Sequence, residues 1–224
     1  DHLPTFDNVR LTMCRQRSCL LPPIPTTIEN VDIRGAWAET WNRESFLLNQ
    51  TVRSNVANGI IFATNNDLFA LSECDKVFVD GTFKSTLHPF KQIFTIHGMY
   101  YGYPIHFSTC LLEGKRGEDY EFGIETVKAR VEPLTGLPWQ PTEVVCDFEQ
   151  AIMTAAEQVF PQAPTIDGCY FHLTKNLWKK VGELGLINAY RNDEILRDSI
   201  IRKVMSLGFL PINFVPGVFN IFKS

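Results

Sequence analysis

Short apolar runs that stop on one polar residue recur along this chain. Val77-Phe78-Val79 ends on Asp80, with Gly81-Thr82-Phe83 behind it, and Val144-Val145-Cys146 ends on Asp147. Runs of Val, Phe and Ile bounded by polar or turn residues predict strands buried on both faces. The same pattern predicts strands at 59–63, 90–100, 105–112 and 165–171, with Tyr101-Gly102-Tyr103-Pro104 as a tight link between two of them. Residues 28–48 read as strand, turn, strand around Gly35, with Trp37 and Trp41 as packing residues. Residues 1–30 carry Pro4, Pro22, Pro23 and Pro25 and read as irregular.

Helical spacing predicts the rest. Thr64-Asn65-Asn66 is capping material for a helix over 67–74, with Leu68, Phe69 and Leu71 inward. Tyr120, Ile124, Val127 and Val131 share a face that Pro133 closes. Phe148, Ala151, Ile152, Ala155, Val159 and Phe160 form a second stripe, and Leu173, Leu177, Val181 and Leu184 a third. A later helix over 193–207 is buried through Ile195, Leu196, Ile200, Ile201 and Val204, and 211–224 is apolar without an evident partner. The order from residue 77 is three strands, helix, strand, helix, strand, helices. It predicts an α/β mixed sheet flanked by helices on both faces, its first three strands antiparallel and the next two added by crossovers. The boundaries that follow are 1–27 as a linker or arm, 28–76 as an αβ lead-in, 77–172 as the core and 173–224 as a helical segment.

Composition changes this picture little. With 45% hydrophobic and 12% aromatic residues the 224-residue chain has ample material for a core. A net charge of −4 gives no global attraction to nucleic acid or anionic membrane, so any DNA contact needs a local basic patch. No run reaches the roughly 18 apolar residues of a membrane helix, and no signal pattern opens the chain. The six cysteines are scattered, mostly within apolar runs, which fits free thiols in a reducing compartment; Cys14 and Cys19 make a poor metal pair without histidine partners. The start at Asp1 and the stop after an apolar run at Ser224 suggest a piece of something longer.

The chemistry concentrates at the strand ends. Neighbouring strands lie about 4.8 Å apart, so matched positions can bring Asp80 and Asp147 into one site, and paired carboxylates suit Mg²⁺. Each aspartate also has a structural reading. Asp80-Gly81 is a hairpin-turn dipeptide, and Asp147 with Gln150 has capping-box spacing. Cys169 and His172 have a ligand-compatible spacing without a second pair to complete a structural zinc site. Beyond them Lys175, Lys179 and Lys180 lie in a stretch, 169–182, that contains no acid; with Lys84 they are candidates for DNA phosphate contacts. Nucleotide-binding glycine loops, a Gly-x-Ser-x-Gly elbow and His-Glu-x-x-His are missing from the sequence.

Taken together, Val79-Asp80-Gly81-Thr82-Phe83-Lys84, Phe94-Thr95-Ile96-His97-Gly98, Cys146-Asp147-Phe148-Glu149 and Gly168-Cys169-Tyr170-Phe171-His172 closely resemble the Mutator-like element (MULE) transposase domain, over roughly 20–215. The lead-in at Leu21-Pro22-Pro23-Ile24-Pro25 and Phe46-Leu47-Leu48 is similar to that of members that follow a FLYWCH-type zinc finger. The resemblance implies a ribonuclease H-like fold with a helical insertion starting after the fifth strand. It also implies an Asp-Asp-Glu triad that holds Mg²⁺ or Mn²⁺ for DNA cleavage and strand transfer, DNA as partner, a homo-oligomeric transposition complex and a nuclear setting. Asp80 matches the first acid, Asp147 the second, and Cys169 and His172 the family's Cys-x-x-His motif. The third acid has no match: Glu149 is too near Asp147, and Glu183 and Glu194 fall on early insertion helices. The expectation is therefore an enzyme-derived domain that is inactive as this chain. Its rivals are a domesticated DNA- or chromatin-binding protein and a small zinc module built on Cys169 and His172.

Overall fold

The computed structural model describes residues 5–19, 21–22, 24–82, 86–163 and 165–223. The chain opens with helix α1 (Phe6–Cys19), where the prolines around it suggested irregular backbone. Residues 28–46 form two 3₁₀ turns, Ile28–Asn30 and Gly35–Trp37, and an isolated bridge between Glu39 and Ser45. The expected strand pair is not formed there. Gln50 satisfies the strap instead: its side chain donates to the Val31 carbonyl at 3.0 Å and accepts from the Ile33 N–H at 2.9 Å. That lets Ile28 and Val31 pack on Ile60 and Phe90 as a small separate cluster. Trp41 is 99% exposed and Trp37 is exposed too, so neither is a packing residue.

The strands that follow are β1 (Leu47–Thr51) and β2 (Gly59–Phe62), then helix α2 (Asn65–Ser72). Next come β3 (Lys76–Thr82), β4 (Gln92–Tyr100) and β5 (Tyr103–Leu112). Tyr101 and Gly102 both have positive φ, 47° and 81°, the signature of the two-residue hairpin turn joining β4 to β5. Helix α3 (Gly117–Thr135) runs past Pro133 and ends at Gly136, whose left-handed φ lets its N–H close on the Glu132 carbonyl. Strand β6 (Glu143–Cys146), helix α4 (Gln150–Val159) and strand β7 (Thr165–Gly168) complete the sheet.

The seven strands are ordered β1-β2-β5-β4-β3-β6-β7. β3, β4 and β5 form an antiparallel meander, while β6 pairs parallel with β3 and β7 parallel with β6. This is the mixed sheet the element order predicts, extended by β1 and β2. Helices α2, α3 and α4 cover one face, and the core lies beneath them: Leu68, Leu71, Tyr120, Ile124, Val127, Ile152 and Ala155 against Val77, Val79, Phe94, Ile96 and Cys146. β3 is buried on this face only, since Lys76, Phe78 and Asp80 alternate to the other side and stay half-buried; β6 is buried on both.

Over the other face come helix α5 (Tyr170–Glu183), helix α6 (Ile187–Asn192), a π-helical stretch (Ile195–Ile201), helix α7 (Arg202–Ser206) and helix α8 (Val215–Lys223). A cleft of about 1010 Å³ separates Phe78, Val145 and Asp167 on the sheet from Leu173, Leu177, Val204 and Phe209. Ile195 and Ile200 of the expected buried stripe are exposed; Ile201 is buried. Among the described residues no helix is long and apolar enough to cross a membrane.

Candidate metal centre

Asp80 sits within β3, paired with Thr95 of β4, and Gly81 pairs with Phe94. The hairpin reading of Asp80-Gly81 is thereby excluded, because both residues are inside a continuous ladder. Asp147 follows the last residue of β6, and the parallel register sets Val79 opposite Cys146. The next position on each chain is an aspartate. Alternation then turns both carboxylates to the face away from the core. The capping reading of Asp147 is excluded as well: the cap residue of α4 is Glu149, and Asp147 Oδ1 accepts instead from the adjacent Phe148 N–H at 2.6 Å.

The third member arrives by a backbone hydrogen bond. β7 stops at Gly168, three residues earlier than the apolar run suggested, and the Cys169 N–H donates to the Cys146 carbonyl at 2.7 Å. This ties the start of α5 to the end of β6 and places His172 in the first helical turn, directly over the two aspartates. His172 Nε2 lies 3.7 Å from Asp80 Oδ1, and Nδ1 lies 4.0 Å from Asp147 Oδ1. One donor atom from each of Asp80, Asp147 and His172 falls within 4.8 Å of the others, the group of this kind found among the described residues. Cys169 is not part of that group, and the imidazole of His172 turns to the carboxylates.

The surrounding groups explain how the cluster is held. Gly168 lies against the ring of Phe148, where a Cβ would come within 2.3 Å of Cζ. Glu149 is drawn away from the cluster by the Tyr120 hydroxyl, which donates to its Oε1 at 2.8 Å. The same hydroxyl lies 3.0 Å from Oε1 of the buried Gln92. Sequence spacing gave no signal for this Tyr120-Glu149-Gln92 contact, because its members come from three separate elements. Further along the open face, His97 and His106 stand edge to face with ring centroids 5.0 Å apart. Burial, aided by the neighbouring His106, pulls the His97 pKa below its usual value, while Asp80 opposes the shift.

The basic residues are less concentrated than their spacing implies. Lys179 and Lys180 both reach Glu183, at 3.9 and 3.2 Å, and Lys175 lies over the Phe171 ring at 5.7 Å. Lys84 lies outside the described residues. Glu194 pairs with Arg197 at 3.6 Å, so none of Glu149, Glu183 and Glu194 joins the aspartates.

Residues 76–176 match the sequence model of the MULE transposase domain family. The match starts at the first residue of β3, ends in the second turn of α5 and takes in Asp80, Asp147 and His172. The resemblance drawn from the motifs holds over this segment. No curated protein matches the chain, and no solved structure does.

Proposed function

We propose that the MULE transposase domain at 76–176 is the catalytic core of a DDE-type DNA-cutting and strand-joining enzyme, with Asp80 and Asp147 as its first two acids. The observation that carries this is their convergence from adjacent parallel strands into one donor group with His172. The antiparallel meander followed by two parallel crossovers supports the ribonuclease H-like reading of the sheet. On this reading 77–172 is the core, 173–224 begins the helical insertion, 28–76 is the lead-in and 1–27 an arm. Its substrate is DNA, its assembly a homo-oligomeric transposition complex and its compartment the nucleus.

The donor set fits a divalent cation of the kind such a domain uses, Mg²⁺ or Mn²⁺. Two partly exposed carboxylates offer oxygens, and they share the site with an imidazole nitrogen that has no hydrogen-bond partner among the described residues. When bound there, such an ion supplies Lewis-acid polarisation of a phosphodiester and a more acidic bound water. The protein's part is positional. β3 and β6 fix the spacing of the two carboxylates, Phe148 N–H holds one oxygen of Asp147, and α5 closes the far side.

Among the described residues no third carboxylate completes the cluster, and misplacing one group by about 1 Å already costs around a hundredfold in rate. The chain by itself is accordingly expected to bind DNA without cutting it. The two carboxylates repel phosphate when no cation is present, so Mn²⁺ should raise affinity for duplex DNA, and Asp80→Asn with Asp147→Asn should abolish that dependence. Fluorescence anisotropy with and without Mn²⁺, beside a plasmid-nicking assay, tests both points. DNA affinity indifferent to the cation, or nicking that survives Asp80→Asn, overturns the reading. The two-carboxylate count favours one second reading, a domesticated DNA-binding protein. It requires DNA binding that ignores both aspartate changes and is lost on replacing Lys175, Lys179 and Lys180.

A further inference from the structure

His172 has a role to be accounted for. Its side chain is only 14% exposed, its Nδ1 is sealed from solvent, and no group among the described residues forms a hydrogen bond to that atom. Leaving a buried polar atom unpaired is unfavourable, so a partner is expected. Asp147 Oδ1 stands 4.0 Å from Nδ1 and Asp80 Oδ1 stands 3.7 Å from Nε2, both too long for hydrogen bonds. One nitrogen of the ring nevertheless lies within 4.8 Å of an oxygen of each aspartate, near enough for a small shift to bring all three onto one ion. Two donors each about 2.1 Å from a shared ion, at right or tetrahedral angles, stand roughly 3.0–3.4 Å apart.

We propose that His172 is itself a metal ligand, so that Asp80, Asp147 and His172 form a two-carboxylate, one-imidazole site selective for a transition-metal dication over Mg²⁺. The inference rests on the metal lying between the two aspartates, as the reading above holds, and adds which ions the site takes. Mg²⁺ is satisfied by oxygen and gains little from imidazole, whereas nitrogen donors favour the first-row metals, with affinity rising from Mn²⁺ to Co²⁺. The third protein donor, which no carboxylate provides here, thus comes from the first turn of α5. Cation binding then needs no further acid, even though the chemistry does.

The position of α5 makes this ligand dependable. The Cys169 N–H bond to Cys146 joins the helix start to the strand that ends in Asp147, so the imidazole and one carboxylate are fixed by a single backbone contact. A competing source of nitrogen exists in the His97–His106 pair on the same sheet face, and the experiment has to separate the two.

The test needs no DNA. Mn²⁺, Co²⁺ and Mg²⁺ are titrated calorimetrically into the full chain, and the Mn²⁺ complex is read by pulsed EPR for ¹⁴N coupling. The expected result is Mg²⁺ weakest, Co²⁺ tightest, and imidazole coupling to bound Mn²⁺. His172→Ala and the closer mimic His172→Gln, both checked for folding by circular dichroism, should lose the coupling. Each should also lose at least about tenfold in Co²⁺ affinity, the lower bound seen when even an outer-shell partner is removed. His97→Phe should change neither. Mn²⁺ bound through Asp80 and Asp147 without nitrogen coupling overturns the role of His172 and leaves the carboxylate reading standing. Coupling that survives in the His172 variants and vanishes in His97→Phe overturns it too. Absence of any Mn²⁺ binding overturns this inference together with the metal-dependent part of the function above.

Discussion

Gly168 shows how closely the site depends on a single residue. Phe148 follows Asp147 directly, and its ring lies where a Cβ on residue 168 would be, 2.3 Å from Cζ and 2.4 Å from Cε1. Any side chain there must push the ring, and the push is transmitted to the backbone that presents Asp147. Phe148 is half exposed, so the ring has room to swing outward. Gly168→Ala should therefore cost toward the low end of the ~1–3 kcal/mol typical of overpacking. It should also weaken Mn²⁺ binding. Urea unfolding and calorimetry on the same variant check both; a variant unchanged in both would mean the contact does not govern Asp147. The two aspartates illustrate what one residue's neighbours in sequence can hide. Asp80-Gly81 has the composition of a turn, and only the ladder partners Thr95 and Phe94 establish it as strand interior.

At the scale of elements, local signals did well wherever the deciding contacts were local. The Thr64-Asn65-Asn66 cluster does open α2, with Thr64 as the cap. Its hydroxyl accepts from the Asp67 N–H at 3.0 Å, while Asp67 Oδ2 accepts from the Thr64 N–H at 2.8 Å. Thr64→Ala should lower stability by about 1 kcal/mol. The urea midpoint should fall at unchanged slope, and an unaltered midpoint would mean the reciprocal bonds add nothing to α2. Phe69, expected inward on the same helix, is exposed, whereas Leu68 and Leu71 are buried in the core. The aromatic run Cys169-Tyr170-Phe171 misled in the other direction. Its composition favours strand, but after Gly168 the chain leaves the sheet and helix α5 begins at Tyr170. That shift matters for chemistry, since it is a helix turn rather than a strand that carries His172.

For the molecule as a whole, the balance of charge limits how DNA would be held on the proposed reading. The chain is net acidic, and two of the three lysines on α5 already share Glu183. These pairs are exposed and therefore weak, so phosphate can compete for the lysines. Replacing Lys175, Lys179 and Lys180 together by alanine should reduce the salt dependence of DNA binding, lowering the slope of log K against log[salt] by up to about 3, at roughly 0.9 per phosphate contact. Anisotropy titrations over a salt series measure this. An unchanged slope would place the DNA path away from α5.

The sequence alone determined the things that depend on near neighbours. These were the strands of the meander, helix α3, the stripe of α4 from Ile152 to Val159, and the motif set that matches the MULE transposase domain over 76–176. Such features arise from backbone periodicity and from side chains a few residues apart, and a linear pattern records them. Tertiary structure decided what comes from distant pairing. Lys76 and Glu143, 67 positions apart, face each other across β3 and β6, and that parallel register is what sets Asp80 beside Asp147. It also decided that Tyr120 holds Glu149 away from them and that α5 sets an imidazole over them. No local pattern encodes a register between strands joined by a long crossover, because each strand's alternation is satisfied equally well by any shift of two residues.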